Sequence, residues 1–474
     1  MNASRWRISP PPCRCSGACW PPGPDAVSAD GLELFADLYE FRMAHAYHAL
    51  GMEEEAVFSL FVRRLPAGRN FLLACGAEDF CDTLEALRFG GDSLAYLRGL
   101  GAFPEEFLAW LARLRFSGAV HAVPEGTPVF AGEPLIEVVA PIAEAQLLET
   151  LAMNMVGLQT LLASKAARVV AAAAGRPVVE FGSRRAQGID AALAGARAFH
   201  LAGVAATSNV LAGARHGIPV AGTMAHSFVQ AFAREADAFR AFAHHYPETI
   251  LLVDTYDTAA GVRRVVELAR ELGAAFRVRG IRLDSGDLAA LARQARGILD
   301  HAGLTQVQIF ASGGLDEHRI AALLAAGAPI DAFGVGTEMS VSGDAPALDI
   351  AYKLTAYAGQ GRMKLSEGKR TLPGRKQVFR TATGDTVALA GEDLPGEPLL
   401  RQVMAGGRRA APRPPLATSR QNAAERIAAL PAPLRALAPA TPPYPVAISP
   451  ALAAEEGQVR ARLSAANLPP RPVG

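Results

Sequence analysis

Short apolar runs alternate with longer helical segments through the middle of the chain. Helical segments of roughly 10–15 residues between such runs have the period of repeated βα units, which form parallel sheets. The runs stop one short of the eight strands that close a regular α/β barrel. The pattern therefore predicts an α/β fold with an irregular seven-stranded parallel α/β barrel at residues 151–345. The predicted strands are residues 178–181, 203–206, 218–221, 250–253, 280–283, 308–310 and 332–335.

The segments on either side of this region have a different pattern. Within residues 31–150, helical spacing precedes a strand-like run at 57–62, and short strands separated by Pro and Gly turns follow at 118–139. A long helix is predicted at 143–173, and strand-like residues return after Tyr352. We therefore predict a smaller α+β sheet domain built from residues 31–150 and from a C-terminal segment, 346–474, that returns to it.

Composition narrows the classes of partner and compartment. The net charge of +1 gives no support for nucleic acid or an anionic membrane surface as a partner. No uninterrupted apolar run reaches the roughly 18 residues of a membrane span. Residues 1–30 are rich in Pro, Ser and Gly and predict a disordered leader without the apolar core of a signal peptide. The odd, sparse set of 5 cysteines fits a reducing cytoplasm.

One histidine lies where a predicted strand ends and a helix begins. His226 follows Gly222 and Thr223, and helical spacing starts at Ser227. The carboxyl ends of parallel strands are where ligands bind in such folds. A histidine at a helix N-terminus can hold a phosphate or accept a phosphoryl group. The alternative is a buried histidine that caps the helix.

Glycine-containing loops follow the last two predicted strands. Ser312-Gly313-Gly314 comes after one, and Gly336-Thr337 comes after the other. Glycines let backbone N–H groups close around a phosphate, and barrels often bind phosphate after their last strands. Turns also need glycine, so each loop by itself is weak evidence. The two together predict a phosphate site.

Four carboxylates come from two further strand-end loops: Asp254, Asp257, Asp284 and Asp287. Carboxylates that face one pocket repel each other unless cations join them, and such oxygen ligands suit Mg²⁺ held partly by substrate phosphates. The alternative is helix N-capping. We favour a functional Asp284, with Asp257 as a second candidate magnesium ligand, and leave Asp287 open between the two interpretations.

Arginines and aromatic residues complete the candidate pocket. Arg184, Arg185 and Arg282 lie at predicted strand ends, where guanidinium groups could bind carboxylates or phosphates. Phe181 and Tyr39 could stack on a flat ring, although an aromatic side chain more often belongs to a core. Phosphate loops, carboxylates, arginines and a histidine in one pocket indicate phosphoryl or phosphoribosyl transfer.

With these residues assembled, the chain resembles the nicotinate phosphoribosyltransferases. The resemblance covers about residues 34–380 and extends more loosely to the C-terminus. Many ordered motifs are far more specific than any one of them. The matching motifs are Asp37-Leu38-Tyr39, Glu180-Phe181-Gly182-Ser183-Arg184-Arg185-Ala186, Thr207-Ser208-Asn209-Val210, Gly222-Thr223-Met224-Ala225-His226-Ser227, Asp254-Thr255-Tyr256-Asp257, Arg282-Leu283-Asp284-Ser285-Gly286-Asp287, Phe333-Gly334-Val335-Gly336-Thr337 and Lys364-Leu365-Ser366 followed by Lys369 and Leu372-Pro373-Gly374.

The resemblance implies a reaction and its participants. Nicotinate and phosphoribosyl pyrophosphate give nicotinate mononucleotide and pyrophosphate in NAD biosynthesis, with coupled hydrolysis of ATP as co-substrate. His226 would be phosphorylated by ATP and oriented by Asp254. Asp284 would act on Mg²⁺ and the ribose hydroxyls.

The same resemblance implies how nicotinate is held. The pyridine ring would stack between Phe181 and Tyr39, with the tyrosine reaching in from a second subunit of a homodimer. Thr223 and Arg282 would hold nicotinate, while Thr337 and the glycine loops would hold the ribose phosphate.

Ser208 separates the possible substrates. Similar enzymes that use nicotinamide carry an aspartate at this position, and an aspartate facing a carboxylate would repel it. Ser208 therefore favours nicotinate. A quinolinate phosphoribosyltransferase shares the barrel but needs more basic residues for a second carboxylate. A catalytically silent relative is the remaining alternative, and the presence of His226 and Asp284 argues against it.

Overall fold

The computed structural model describes residues 31–366 and 371–467. The predicted leader, with Cys13, Cys15 and Cys19, and the motif residue Lys369 lie outside the described residues. None of the helices in the two described ranges has both the length and the apolar character needed to cross a membrane.

The N-terminal part of the chain contains helices and short strands and ends in a long helix. A 3₁₀ turn at Leu32–Leu34 precedes the first helix, where Asp37 and Glu40 form a reciprocal capping box. The elements are α1 (Leu38–Ala49), β1 (Glu55–Val62), β2 (Leu72–Leu73), α2 (Ala77–Ala86), α3 (Gly91–Gly99), α4 (Glu105–Arg113), β3 (Ala119–Ala122), β4 (Pro128–Val129), β5 (Pro134–Pro141), α5 (Ile142–Gln146) and α6 (Glu149–Ala172).

The middle part alternates strands and helices. Its strands are buried along nearly their whole length, as expected for a parallel sheet covered on both faces. The elements are β6 (Val178–Glu180), α7 (Ile189–Leu201), β7 (Ala206–Thr207), α8 (Val210–His216), α9 (His226–Gln230), α10 (Glu235–His245), β8 (Ile250–Leu252), α11 (Thr258–Leu272), β9 (Gly280–Leu283), α12 (Leu288–His301), β10 (Gln308–Ala311), α13 (Glu317–Ala325), β11 (Ala332–Val335) and α14 (Thr337–Ser340), with 3₁₀ turns at Ser183–Arg185 and Gly273–Ala275.

Six of the predicted strands form one parallel sheet, in the order β7-β6-β11-β10-β9-β8. The predicted strand at 218–221 contributes a single parallel bridge, between Val220 and Thr207. The other edge of Val220 carries no strand among the described residues, and its side chain is 51% exposed. A closed seven-stranded barrel is therefore not confirmed, because the short run after β7 pairs on one side only.

The C-terminal part returns to the N-terminal sheet. The strand β12 (Ile350–Tyr357) pairs antiparallel with β1, which also pairs with β5. The full order of this seven-stranded sheet is β13-β12-β1-β5-β3-β17-β18, and a second sheet has the order β16-β14-β15-β19. The remaining elements are β13 (Gln360–Gly361), β14 (Lys376–Thr381), β15 (Gly384–Leu389), β16 (Glu397–Pro398), β17 (Arg401–Ala405), β18 (Arg408–Arg409), α15 (Leu416–Ala429), α16 (Ala432–Arg435), β19 (Val446–Ile448) and α17 (Pro450–Asn467).

Two large hydrophobic cores match these two units. One lies around the parallel sheet and its helices, and the other fills the space between the seven-stranded sheet, α2 and the start of α6. Helix α6 packs against α7 and α13 of the first unit and against β2 and α2 of the second. This helix therefore packs against both units and joins them.

Candidate active site

The loops after the parallel strands bring most of the predicted site residues to one edge of the sheet. Each strand of the sheet runs in the same direction, so the residues after their carboxyl ends share one side. Phe181 follows β6, Ser208 follows β7, Asp284 follows β9 and Ser312 follows β10. The side chains described below contact one another at this edge.

His226 is the first residue of α9 and has both ring nitrogens near polar groups. Its Nδ1 lies 3.1 Å from Thr255 Oγ1, and its Nε2 lies 3.9 Å from Asp284 Oδ2. The side chain remains 39% exposed, so it is not the fully buried cap of the alternative interpretation. Nε2 therefore faces both the carboxylate and the open side of the site.

Asp254 was expected to orient His226, but the structure gives the Nδ1 contact to Thr255. Asp254 Oδ2 instead accepts hydrogen bonds from the Asp284 backbone N–H and from Ser285 Oγ, each at 2.8 Å. Its second oxygen, Oδ1, is buried without a partner among the described residues. Asp254 thus fixes the start of the loop that carries Asp284.

Asp284 is the centre of the polar contacts at this edge. Its Oδ1 accepts hydrogen bonds from Arg282 Nη1 at 3.0 Å and from Ser312 Oγ at 2.5 Å. The Asp284 side chain is 34% exposed, and Oδ2 points toward His226. One oxygen is therefore held by the protein, and the other is available to a ligand.

Arg282 links three of the loops. Its Nη2 donates to the Met224 carbonyl at 2.7 Å, and its Nη1 reaches both Asp284 and Ser312. Burial lowers the pKa of the guanidinium, and the Asp284 carboxylate opposes this shift. The Nε–H of Arg282 is buried without an acceptor among the described residues. A buried donor without an acceptor is energetically costly.

Phe181 forms the apolar wall beside Arg282. Its ring centroid lies 6.0 Å from the Arg282 guanidinium carbon and 5.8 Å from the Phe310 ring centroid. A Cβ on Gly334 would meet the Phe181 ring at 2.6 Å, so only glycine lets the ring lie over β11. The ring is half-buried, which leaves part of its surface open to the site.

Two residues beneath this wall were not predicted as site residues. Glu180 is buried and accepts a hydrogen bond from Thr207 Oγ1 at 2.5 Å and another from the Gly182 backbone N–H. These bonds join the ends of β6 and β7. The sequence did contain a signal for this contact. Glu180 is a carboxylate inside an apolar strand and therefore needs a buried donor, which Thr207 can supply. The predicted site residues Phe181 and Ser208 directly follow these two residues.

The two glycine loops lie after neighbouring strands, β10 and β11. Gly313 has φ 93°, and a Cβ there would meet the Asp284 carbonyl oxygen at 1.8 Å. Ser312 is buried and its hydroxyl donates a hydrogen bond to Asp284 Oδ1, while Gly314 is exposed. Gly336 precedes α14, which begins at the exposed Thr337.

The carboxylates Asp257 and Asp287 are helix N-caps. Asp257 Oδ1 accepts from the Ala260 backbone N–H at 2.7 Å, and Asp287 Oδ1 accepts from Ala290 N–H at 3.0 Å. Across residues 31–366 and 371–467, no group of three or more His, Cys, Asp or Glu side chains is arranged to hold a metal ion.

Comparisons with known proteins show which family the chain belongs to. The model of the nicotinate phosphoribosyltransferase N-terminal domain matches residues 34–157, and the model of the nicotinate phosphoribosyltransferase family matches residues 177–391. The chain is 57% identical to nicotinate phosphoribosyltransferase pncB2 of Mycobacterium tuberculosis over 90% of this chain and 94% of that one. It is 43% identical to the nicotinate phosphoribosyltransferase of Bacillus subtilis over 78% and 79% of the two chains.

The chain belongs to the nicotinate phosphoribosyltransferase family.

A solved structure of a family member extends the similarity to the fold. The crystal structure of human nicotinic acid phosphoribosyltransferase covers 90% of this chain and 99% of its own, with a TM-score of 0.80 and 30% identity. This chain and the human enzyme therefore share one architecture along nearly their whole length.

The remaining nicotinate phosphoribosyltransferase motif residues lie around these contacts or apart from them. Ser208 and Thr223 are partly exposed, and Thr223 Oγ1 donates to the Met224 carbonyl at 3.3 Å. Arg184 is exposed on the 3₁₀ turn after β6, and its positive charge helps to lower the pKa of the Arg282 guanidinium. Ser208 and Arg184 follow β7 and β6 at the edge that carries Phe181, whereas Thr223 lines a pocket with Phe242, Tyr246 and Arg277.

Tyr39 lies in the other unit of the molecule, on α1. It is 44% exposed, and burial together with the nearby Glu149 carboxylate raises the pKa of its phenol. Phe35 and Leu38 are exposed to similar extents, 43% and 44%. These three side chains form the patch that we call the α1 patch.

Proposed function

We propose that the chain transfers the phosphoribosyl group of phosphoribosyl pyrophosphate to nicotinate, with ATP hydrolysis coupled through phosphorylation of His226. The observation that carries this proposal is the contact of Arg282, Asp284 and His226 at one edge of the sheet. Arg282 supplies positive charge for an anionic substrate, Asp284 supplies an unshared carboxylate oxygen, and His226 supplies an accessible imidazole nitrogen.

The nicotinate ring packs on the open face of Phe181 in this proposal. Its carboxylate then accepts from the unpaired Nε–H of Arg282, a charge-assisted contact that restores the missing partner. Ser208 and Thr223 supply neutral hydroxyls at the rim. The proposal includes the 218–221 segment as the seventh barrel strand, since that strand leads directly into Thr223.

The phosphoribosyl end lies over the glycine loops. Gly313, Gly314 and Gly336 place no Cβ beside their backbone N–H groups, which can then approach a phosphate, and Thr337 adds a hydroxyl at the start of α14. Arg184 at the rim supplies a further positive charge for the phosphates. As pyrophosphate leaves, positive charge develops on the ribose, and the Asp284 carboxylate is preset to stabilise it.

Mg²⁺ fits the donor set as an ion shared between protein and substrate. Magnesium is usually held by one or two carboxylates together with substrate phosphates, so a complete protein cage is not required. Asp284 Oδ2 is the available oxygen, whereas Asp257 has one oxygen committed to its helix cap. When bound, the ion neutralises charge on the pyrophosphate.

Phosphorylation of His226 takes place at Nε2 in this proposal, since Nδ1 is occupied by Thr255. The imidazole Nε2 attacks the terminal phosphorus of ATP, the bond to the bridging oxygen breaks, and ADP leaves. Water later hydrolyses the phosphohistidine to release phosphate. After transfer, the Asp284 carboxylate, 3.9 Å from Nε2, repels the product phosphate.

The experiment uses ATP labelled on its terminal phosphate. The wild-type chain is expected to acquire an acid-labile, base-stable label, and His226→Ala is expected to lose the label and ATP stimulation while keeping slow ATP-independent transfer. The control is His244→Ala, which changes an exposed histidine on α10. Equal labelling of wild type and His226→Ala excludes the phosphohistidine. Nicotinate, nicotinamide and quinolinate are compared in the same assay, and a preference for either of the last two overturns the proposed substrate.

A homodimer completes the pocket in this proposal. The ends of β6 and β7 lead into Ile189, Val210 and Leu211, which are 66%, 71% and 41% exposed. We infer that these exposed apolar residues form part of an interface. The α1 patch of a second copy, seated on these residues, would bring its Tyr39 toward the Phe181 ring at the end of β6.

A further inference from the structure

A cavity of about 530 Å³ lies between the seven-stranded sheet and the β16-β14-β15-β19 sheet. Its walls come from β1, the turn before β5, β12, β14, β15 and β19. None of its lining residues belongs to the parallel sheet or to the loops of the candidate active site. Cavities of roughly 300–1,000 Å³ are the size that holds small organic ligands.

The walls and floor of the cavity differ in chemistry. Phe61, Leu372, Val387 and Ile448 are among its apolar lining residues. Its polar residues include Ser59 and Thr355, whose hydroxyls lie 3.2 Å apart. A ligand with an apolar body therefore finds a matching surface along most of the cavity.

The buried charges of the floor balance each other. The Lys376 Nζ lies 3.2 Å from Glu137 Oε1 and donates to the Gly374 carbonyl at 2.6 Å. Ser59 Oγ also donates to Glu137, at 2.6 Å. Lys376 and Glu137 are both almost fully buried, so this pair contributes no net charge to the cavity.

The mouth of the cavity carries unbalanced positive charge. Arg63 and Arg64 both pair with the single carboxylate of Asp349, at 3.3 Å and 2.9 Å. The Arg63 Nε–H is buried and has no acceptor among the described residues. Two guanidinium groups sharing one carboxylate leave a charge of about +1 that an anion could balance.

We propose that this cavity binds a small organic anion, with its apolar body between the two sheets and its charged group on Arg63 and Arg64. The ligand class is an aromatic or aliphatic molecule with one carboxylate, sulfonate or phosphate group. The site is separate from the catalytic pocket and does not depend on the proposed function.

The test titrates the full chain with anilinonaphthalene sulfonate, whose fluorescence rises in apolar surroundings and whose sulfonate supplies the anion. One saturable site per chain is expected, and excess nicotinate mononucleotide is expected to leave it unchanged. The neutral analogue phenylnaphthylamine is expected to bind about tenfold more weakly, because it lacks the charge that the arginines recognise.

Two variants test separately the positive charge at the mouth of the cavity and the volume available inside it. Arg64→Glu reverses a charge on a side chain that is 84% exposed, so the fold is not at risk, and Ile448→Trp enlarges one of the apolar side chains that line the cavity. Each is expected to weaken binding about tenfold or more, whereas Arg234→Glu, at a different exposed arginine, is expected to have no effect. Retained transferase activity checks that each variant is folded. Absence of saturable binding, unchanged binding in either cavity variant, or displacement by nicotinate mononucleotide would overturn the proposal.

Discussion

Among single residues, the decisive property of the pocket is which polar atoms already have partners. Arg282 uses both terminal nitrogens within the protein and leaves Nε–H without an acceptor. Asp284 uses one oxygen and leaves the other facing His226. The polar atoms left without a protein partner are thus one N–H donor on Arg282 and one carboxylate oxygen on Asp284.

Substrate choice is tested at Ser208. Ser208→Asp places a negative charge at the rim beside a substrate carboxylate, an interaction that costs on the order of several kcal/mol before solvent screening. The Michaelis constant for nicotinate is expected to rise strongly, with a smaller change for phosphoribosyl pyrophosphate. Ser208→Ala is the control, because it removes the hydroxyl without adding charge. An unchanged nicotinate constant in Ser208→Asp would mean that this side chain does not face the carboxylate.

The sequence identified these residues better than it assigned their roles. His226, Asp284 and Arg282 were predicted as site residues, and the structure brings them into one set of contacts. Thr255 was not predicted as the partner of His226, because a threonine beside an aspartate carries no signal for which of the two turns inward. Asp257 and Asp287 show the same limit, since an aspartate before a helix has the same pattern whether it caps or binds metal.

Among elements, the strand positions followed from the apolar runs, but their pairing did not. Most predicted strands fall within two residues of the observed ones, because buried parallel strands are continuous apolar segments. The single bridge at Val220 depends on how close the chain comes to β7 and β8, which the run itself does not encode.

The helix predicted at 143–173 is divided for a similar reason. It consists of α5 and α6, and the break lies where tertiary partners bind the backbone. Tyr352 Oη donates to the Ala145 carbonyl at 2.9 Å, and the Thr150 backbone N–H donates to Glu40 at 3.3 Å. These partners come from distant parts of the chain, so no local pattern could indicate them.

The contact between β11 and the Phe181 ring gives a prediction at this scale. Gly334→Ala adds a methyl group that would meet the Phe181 ring at 2.6 Å and the Phe310 ring at 2.8 Å. Overpacking of this kind costs about 1–3 kcal/mol, and displacement of the ring should raise the Michaelis constant for nicotinate. Gly297→Ala, on α12 with no atom near the added group, is the control. Wild-type kinetics in Gly334→Ala would show that the ring position does not matter to nicotinate.

In the whole molecule, a buried ion pair joins the parallel-sheet unit to the N-terminal unit. Arg197 on α7 donates to Glu125 Oε2 at 2.5 Å and to Gln159 Oε1 on α6 at 2.9 Å. Glu125 also accepts from the Gly76 backbone N–H at 2.8 Å. Arg197 and Glu125 are almost fully buried, so the pair fixes how α7 sits against the N-terminal loops.

Removal of one partner of this pair is expected to destabilise the protein. Arg197→Met leaves the Glu125 carboxylate buried without its counter-ion, which typically lowers the free energy of unfolding by about 3–5 kcal/mol. Urea unfolding followed by tryptophan fluorescence measures the change. Arg234→Met removes an exposed ion pair with Asp237 and is expected to unfold at the same urea concentration as the wild type. If both variants unfold alike, the buried pair does not hold the two units together.

The proposed dimer gives a prediction for the whole molecule, because it places the α1 patch of one copy at the pocket of the other. If Tyr39 serves the neighbouring subunit, a mixed dimer of Tyr39→Ala and His226→Ala chains has one pocket with both residues intact and one pocket with neither. Random exchange makes about half of the dimers mixed, so about a quarter of the ATP-stimulated activity should return. Each variant incubated alone is the control. If Tyr39 acted within its own chain, mixing would restore nothing, and full activity in a sample shown to be monomeric would exclude the shared pocket directly.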